Sequence, residues 1–136
     1  MTILIDTNVP IDFLLTRQPF YEAAAQIISR CAKGELRGII AFHSVPNLWY
    51  ILRRAPEAKR RAWLTDICSF MQVVGAAHSQ VVRAIQAADF ADFEDCLQDR
   101  CAAAAGAKYI VTRNVQDYKG SEVPAIEPER FCALFA

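Results

Sequence analysis

Asp6 closes the short apolar run Ile3-Leu4-Ile5. That run reads as a buried strand, which puts Asp6 at its carboxyl end. A charge so placed is costly unless it is paired, hydrated or bound to a cation. A turn or helix-cap aspartate is the plainer explanation of the position taken alone. Asp92, Asp95 and Asp99 come much later, spaced i, i+3 and i+7. On a helix, at about 100° per residue, they fall on one side. Like charges one turn apart repel by about 0.2–0.5 kcal/mol per pair, so the stripe lacks internal compensation. A solvated helix face, helped by the dipole at its N-terminus, also accounts for it. Asn114 and Asp117 follow what reads as the fourth strand, Tyr109-Ile110-Val111, where a turn residue and a helix-opening residue are the ordinary roles. Asp6, Asp95 and Asp117 are more telling together, because acids from three distant segments meet at one edge if the strands run parallel. Clustered carboxylates raise one another's pKa unless a divalent cation neutralises them. Donors that are all oxygen favour magnesium or manganese. A cation held this way lowers the pKa of a bound water and stabilises charge on a phosphodiester. Other chemistries find no support. There is no Ser-His-Asp order, no Cys-His couple and no phosphate-binding glycine loop, and His43 and His78 read as surface or strand-end histidines.

The elements that would position these acids alternate along the chain. A helix beginning near Pro10 carries Ile11, Leu14 and Leu15 on one side. Residues Tyr21 to Ala32 place Ala24, Ile27, Ile28 and Cys31 at helical spacing, and Gly34 stops them. Gly38 to Phe42 reads as the second strand. Ser44 is the expected cap of the next helix, which ends before Pro56. Glu57 to Phe70 reads as a helix, Gln72 to Gly75 as a strand, and Ser79 as the cap of a helix reaching about Ala88. Phe93 to Ala105 is a strong helix closed by Gly106. After the strand Tyr109–Val111 come a short strand within Val123 to Ile126 and a closing helix from Pro128 to Leu134. Strands alternating with helices predict a mostly parallel sheet of about five strands, covered by helices on both faces. Ligands in such sheets gather at the carboxyl ends of the strands, near a switch in strand order.

Composition agrees with one domain over residues 1–136, 54% hydrophobic and 22% charged, which excludes a disordered chain. The longest uncharged run, Ile67 to Val82, is too short and too polar to cross a membrane. The N-terminus lacks the basic stretch of a signal peptide, so the expected address is the cytoplasm. The cysteines (Cys31, Cys68, Cys96, Cys101 and Cys132) are odd in number and contain no C-x-x-C pair. They read as small buried hydrophobes in a reducing compartment. Fifteen basic residues balance fifteen acidic ones, but unevenly. Arg53, Arg54, Lys59, Arg60 and Arg61 crowd one segment; Asp89, Asp92, Glu94, Asp95 and Asp99 crowd another. The basic segment either tracks a nucleic-acid backbone or is a solvated helix face.

Several motifs then resemble a known family. Leu4-Ile5-Asp6-Thr7-Asn8-Val9 is similar to the opening of PIN-domain ribonucleases. Asp92-Phe93-Glu94-Asp95-Cys96-Leu97-Gln98, followed by Ala102 to Gly106, resembles their third-acid helix. Tyr109-Ile110-Val111-Thr112-Arg113-Asn114, followed by Asp117-Tyr118, resembles their fourth-strand motif. Pro124-Ala125-Ile126 and Pro128-Glu129-Arg130-Phe131 are similar to the closing strand and helix. The likeness covers essentially the whole chain and is greatest to the toxin half of bacterial toxin–antitoxin pairs. It implies a three-layer PIN-like sandwich and a magnesium- or manganese-dependent endoribonuclease, with an antitoxin partner and a homodimer. Asp6 matches the first family acid and Asp95 the third. Asn47 stands where the second acid is usual, and Asn114 where the fourth is. Asn keeps an oxygen ligand and loses the charge. Asp117 would restore one carboxylate, and Asp92 or Glu94 another. Asn8 and Thr112 resemble polar residues that support the site. Helices in the first half of the chain help form the antitoxin groove and the dimer surface in this family. Tyr21, Trp49, Tyr50 and Trp63 would serve there as anchors, or pack the core.

Two further readings stay open. The Asn positions also fit a catalytically weakened PIN-like module that binds RNA or a partner protein. A strand ending in Asp6-Thr7-Asn8-Val9 also evokes a phosphohydrolase of the haloacid-dehalogenase kind. That chemistry wants a second Asp at position 8 as general acid, and Asn8 cannot supply it.

Overall fold

A computed structural model describes residues 1–136. Five parallel strands are ordered β3-β2-β1-β4-β5: β1 Thr2–Ile5, β2 Arg37–Ala41, β3 Gln72–Val74, β4 Tyr109–Val111 and β5 Ala125–Ile126. Seven helices complete the chain: α1 Asn8–Leu14, α2 Tyr21–Ala32, α3 Ser44–Ile51, α4 Glu57–Phe70, α5 His78–Gln86, α6 Phe93–Ala104 and α7 Pro128–Leu134. A 3₁₀ turn, Val115–Tyr118, follows β4. The expected parallel α/β sandwich is therefore the fold.

Side chains alternate across the central strand, and this alternation creates the layers. Ile3 and Ile5 face one core with Ile27, Leu48, Ile67 and Phe131. Leu4 faces the other with Ile39, Cys101, Ala102, Ile110 and Tyr118. Helices α2, α4 and α7 thus cover one side and α6 the other. Burial of such apolar side chains stabilises the sheet by about 1.5–3 kcal/mol each. Gly38 permits close packing, since a Cβ there would lie 2.8 Å from Cys31 Sγ.

Strand order reverses at β1, whose neighbours are β2 on one side and β4 on the other. Ile5 pairs with Val111, so Asp6 and Thr112 leave the sheet side by side at that switch. This is the crevice where parallel sheets bind ligands.

Three local expectations are corrected. Ser44 lies inside α3, and His43 is the residue that precedes it. Ser44 is fully buried, and its hydroxyl accepts bonds from Thr7 and Gln98 instead of capping. Ser79 does not cap α5, because Gln80 Oε1 accepts from the Ala77 amide at the helix start. Cys68 is exposed, unlike buried Cys31, Cys96 and Cys101; all five cysteines are free.

Candidate active site

Asp6 is 5% exposed, and four donors surround it. The Thr7 amide donates to Oδ1 at 2.7 Å. The Thr112 hydroxyl (2.7 Å), the Tyr118 hydroxyl (3.1 Å) and the Asn8 amide (3.5 Å) all donate to Oδ2. These bonds favour the carboxylate, but burial outweighs them and raises its pKa. Thr112 is itself fixed, since its hydroxyl oxygen accepts from Asn8 Nδ2 at 3.3 Å and the Asn114 amide at 3.0 Å. Asn8 Oδ1 accepts from the Arg113 amide at 3.2 Å. Asn8 and Thr112, expected as supports, thus tie β1 to β4 beneath the acid.

Asp95 reaches the same place from the first turn of α6. Its Oδ1 accepts from the Tyr118 hydroxyl at 3.2 Å, and Asp92 caps the helix by accepting from the Asp95 amide at 3.0 Å. Burial, then the charges of Asp6 and Asp92, push the Asp95 carboxyl up to about 7. One hydroxyl therefore stands between two carboxyls. It carries a single proton, so it satisfies two ionised acceptors only in part. Burial and both acids hold the Tyr118 phenol well above its usual range.

The surrounding pocket is lined by Asp6, Asn8, Asn47, Asp92, Glu94, Asp95 and Asn114, with Arg17, Tyr50, Ile51 and Arg113. Asn47 donates to Glu94 Oε1 at 2.7 Å, so a neutral amide on α3 orients a carboxylate on α6. Half-buried His43 lies near Glu94 and Asp6, and burial lowers its pKa. Arg113 belongs to a neighbouring ion pair: its guanidinium bonds buried Asp12 at 2.6 and 3.2 Å and stacks 4.2 Å from the Phe20 ring centroid.

Two acids from the sequence reading do not line this pocket. Asp117 sits on the 3₁₀ turn, and only its charge reaches Asp95, adding a small upward push. Asp99 leaves the acidic stripe altogether. It is 1% exposed and accepts from the Glu122 and Val123 amides at 3.1 and 3.0 Å. Tyr118 is the residue the sequence reading passed over. Its ring belongs to the core, and no spacing rule marks where its hydroxyl ends.

The donors available to a cation are all oxygen, which suits a hard divalent ion. No three His, Cys, Asp or Glu side chains stand close enough together to hold one ion unaided. Magnesium and manganese often keep several waters and take only one or two protein carboxylates, so an Asp6–Asp95 pair fits them.

The fold has known counterparts. The structure of VapBC-1 from nontypeable Haemophilus influenzae aligns over 95% of this chain and 99% of its own, with TM-score 0.70 and 14% identity. A toxin–antitoxin complex from Klebsiella pneumoniae aligns over 93% and 97%, with TM-score 0.68 and 17% identity. VapC20 from Mycobacterium tuberculosis, described as a sarcin–ricin-loop cleaving toxin, aligns over 79% and 86%, with TM-score 0.62 and 15% identity. A sequence search among curated proteins finds no match. At these identities the likeness shows the fold alone. Sequence carries the assignment further: the PIN-domain family model matches residues 2–116, and the chain belongs to the PIN-domain family.

Proposed function

We propose that this chain is a divalent-metal-dependent endoribonuclease, the toxin half of a toxin–antitoxin pair. The observation that carries the reading is the Asp6–Asp95 pair. Two carboxyls from distant segments share one hydroxyl at 3.1 and 3.2 Å, and both are pushed toward their neutral forms. A divalent cation would stabilise the charged forms of such a pair. Magnesium or manganese, when bound, supplies a water of lowered pKa and a positive charge for the phosphodiester oxygens. Asp6 and Asp95 would hold the ion, and Asn47 and Asn114 would position water or the ion by neutral contacts. Asn8 and Thr112 fix the orientation of Asp6, Asp92 fixes the first turn of α6, and Asp117 adds negative potential from outside.

RNA as the substrate class is supported by family membership and by the named activity of the M. tuberculosis relative. A protein partner is supported by the Klebsiella complex and by an apolar groove on this chain. Phe13 and Leu14 of α1, Tyr21 and Ile28 of α2, and Trp63 and Phe70 of α4 line that groove. An amphipathic antitoxin segment suits it, and a homodimer completes the proposed assembly. No helix is long and apolar enough to cross a membrane.

The direct test is cleavage of a panel of structured RNAs with magnesium or manganese. Cleavage by the wild type that Asp6→Asn abolishes is expected; equal behaviour at matched purity overturns the assignment. A weakened binding module is the second reading, favoured by Asn47 and Asn114 at positions where acids are usual. Calorimetry with no magnesium or manganese binding at millimolar concentration decides for it. The phosphohydrolase reading has little left, since Asn8 is locked between Thr112, Asp6 and the Arg113 amide.

A further inference from the structure

Arg53, Arg54, Lys59 and Arg60 have no acidic partner; only Arg61 of that segment does, pairing with exposed Glu57 at 2.8 Å. They occupy the turn after α3 and the start of α4. In place of acids, most of them sit on rings. The Arg53 guanidinium lies 4.3 Å from the Tyr50 centroid, and the Lys59 ammonium 4.9 Å from that of Trp63. Arg60 and Arg61 lie 4.1 and 5.2 Å from the centroid of Trp49. A solvated helix face can look like this, with rings covering the alkyl stems of basic side chains.

Three observations go further. First, Tyr50 and Ile51 also line the acidic pocket, and Tyr50 is 64% exposed. The series therefore starts at the pocket rim and runs away from it over α3 and α4. Second, a guanidinium stacked on a ring keeps its in-plane N–H fork available and is ordered before a ligand arrives. Arg53 uses one such group, on the Tyr50 carbonyl at 3.2 Å, and Arg60 uses one on the Trp49 carbonyl at 3.3 Å, which leaves the rest of each fork free. Third, a polyanion entering a pocket that holds Asp6, Asp92, Glu94 and Asp95 meets repulsion. Its flanking phosphates need cations close by, and Arg17 on the pocket wall together with this series provides them.

We propose that the face built by Tyr50, Arg53, Arg54, Trp49 and Arg60 is the track on which single-stranded RNA lies as it leaves the acidic pocket. Phosphates meet the cations, and unpaired bases, which a paired helix does not offer, stack on the exposed Tyr50 ring. An acidic protein segment would also satisfy the cations, but it gives no reason for the exposed Tyr50 ring at the pocket rim to belong to the series. The identity of the polyanion rests on the ribonuclease reading above; the track itself does not need the chemistry to occur.

The test uses the full chain in EDTA, so that binding is read without cleavage. A short fluorescein-labelled oligouridine, an RNA duplex of equal length and polyglutamate are compared by fluorescence anisotropy over a range of salt. The expected result is preference for oligouridine. Affinity falls about tenfold in the Arg53→Ala/Arg54→Ala variant, and its salt slope becomes shallower by about 1.4, from two lost phosphate contacts on a single strand. Tyr50→Ala weakens binding with the slope unchanged. Lys33→Ala, after α2 at the opposite edge of the sheet, binds as the wild type. Unchanged affinity and slope in the double variant overturn the proposal, as does preference for duplex or for polyglutamate. If Asp6→Asn abolishes cleavage while the track variants bind normally, the track fails and the nuclease stands. If binding depends on the track and no cleavage occurs with either metal, the track stands and the nuclease fails.

Discussion

Asp95 and Asp99 lie one turn apart on α6, yet they meet opposite surroundings. Asp99 is sealed in, and each of its oxygens receives a backbone amide from the segment before β5, at 3.0 and 3.1 Å. Its charge holds a loop in place. Asp95 is half-buried, faces Asp6, and shares a single tyrosine hydroxyl with it. Its charge is opposed by its surroundings, and its carboxyl titrates near 7. The contrast separates a carboxylate that the fold uses from one that the fold tolerates. Asp99 has two amide donors of its own, whereas Asp95 has only a hydroxyl that it shares with Asp6, and the two acids face each other.

The comparison breaks most visibly under Asp→Asn substitution. Asp6→Asn or Asp95→Asn should lower RNA cleavage by at least about a hundredfold, as loss of metal affinity commonly does. Asp95→Asn should melt no lower than the wild type in EDTA, because it removes a charge that burial disfavours. Asp6→Asn sets an N–H group against one of the donors around Asp6 and should melt lower. Thermal unfolding and cleavage of one preparation check both halves.

Asp99→Asn should do the reverse. One oxygen becomes an N–H group facing an amide donor, which costs about 1–3 kcal/mol of stability. Cleavage per folded molecule should stay near the wild-type value. Denaturant midpoints and activity, measured together, decide whether Asp99 acts in folding alone.

The pH dependence sharpens the contrast. The folded-state pKa of Asp95 is raised from 3.8 to about 7. In that interval the folded chain binds a proton that the unfolded chain has released, so stability falls as pH rises and levels off above about 7. Asp95→Asn should flatten this part of the profile of melting temperature against pH. Tyr118→Phe removes a bond that lowers the Asp95 pKa, so its titration should move further up. Manganese affinity at neutral pH should then fall by about tenfold, as loss of a supporting partner does.

The smallest effect is expected at Asn47. Asn47→Asp exchanges the bond to Glu94 for a like-charge contact and adds a carboxylate to the pocket. Manganese should bind a few-fold more tightly, with a slightly lower melting temperature. Weaker binding would mean that the amide, by orienting Glu94, is the better arrangement.

Much of this was legible in the sequence. A three-residue apolar run ending in Asp6 gave the strand and its carboxyl edge, and helical spacing put Asp95 near that edge. Thr112 and Asn8 followed from the fourth-strand and opening motifs. The rest depended on partners distant in the chain. Asp99 shared the spacing of Asp95, but its donors at Glu122 and Val123 lie on a loop that periodicity does not place. Asp117 was expected at the site, and its neighbour Tyr118 points there instead. In a 3₁₀ turn successive side chains diverge by about a third of a circle, so a shift of one residue decides which reaches the pocket. The family likeness marked the segment and could not mark the rotation.

The central claim is that Asp6 and Asp95 together form the cation site. Isothermal titration of manganese into wild type and Asp95→Asn at pH 6.5, in two buffers of different ionisation enthalpy, tests it most directly. The account predicts that the wild type binds manganese and releases a fraction of a proton, while Asp95→Asn binds far more weakly and releases less. Equal affinity and equal proton release in the two proteins would contradict it.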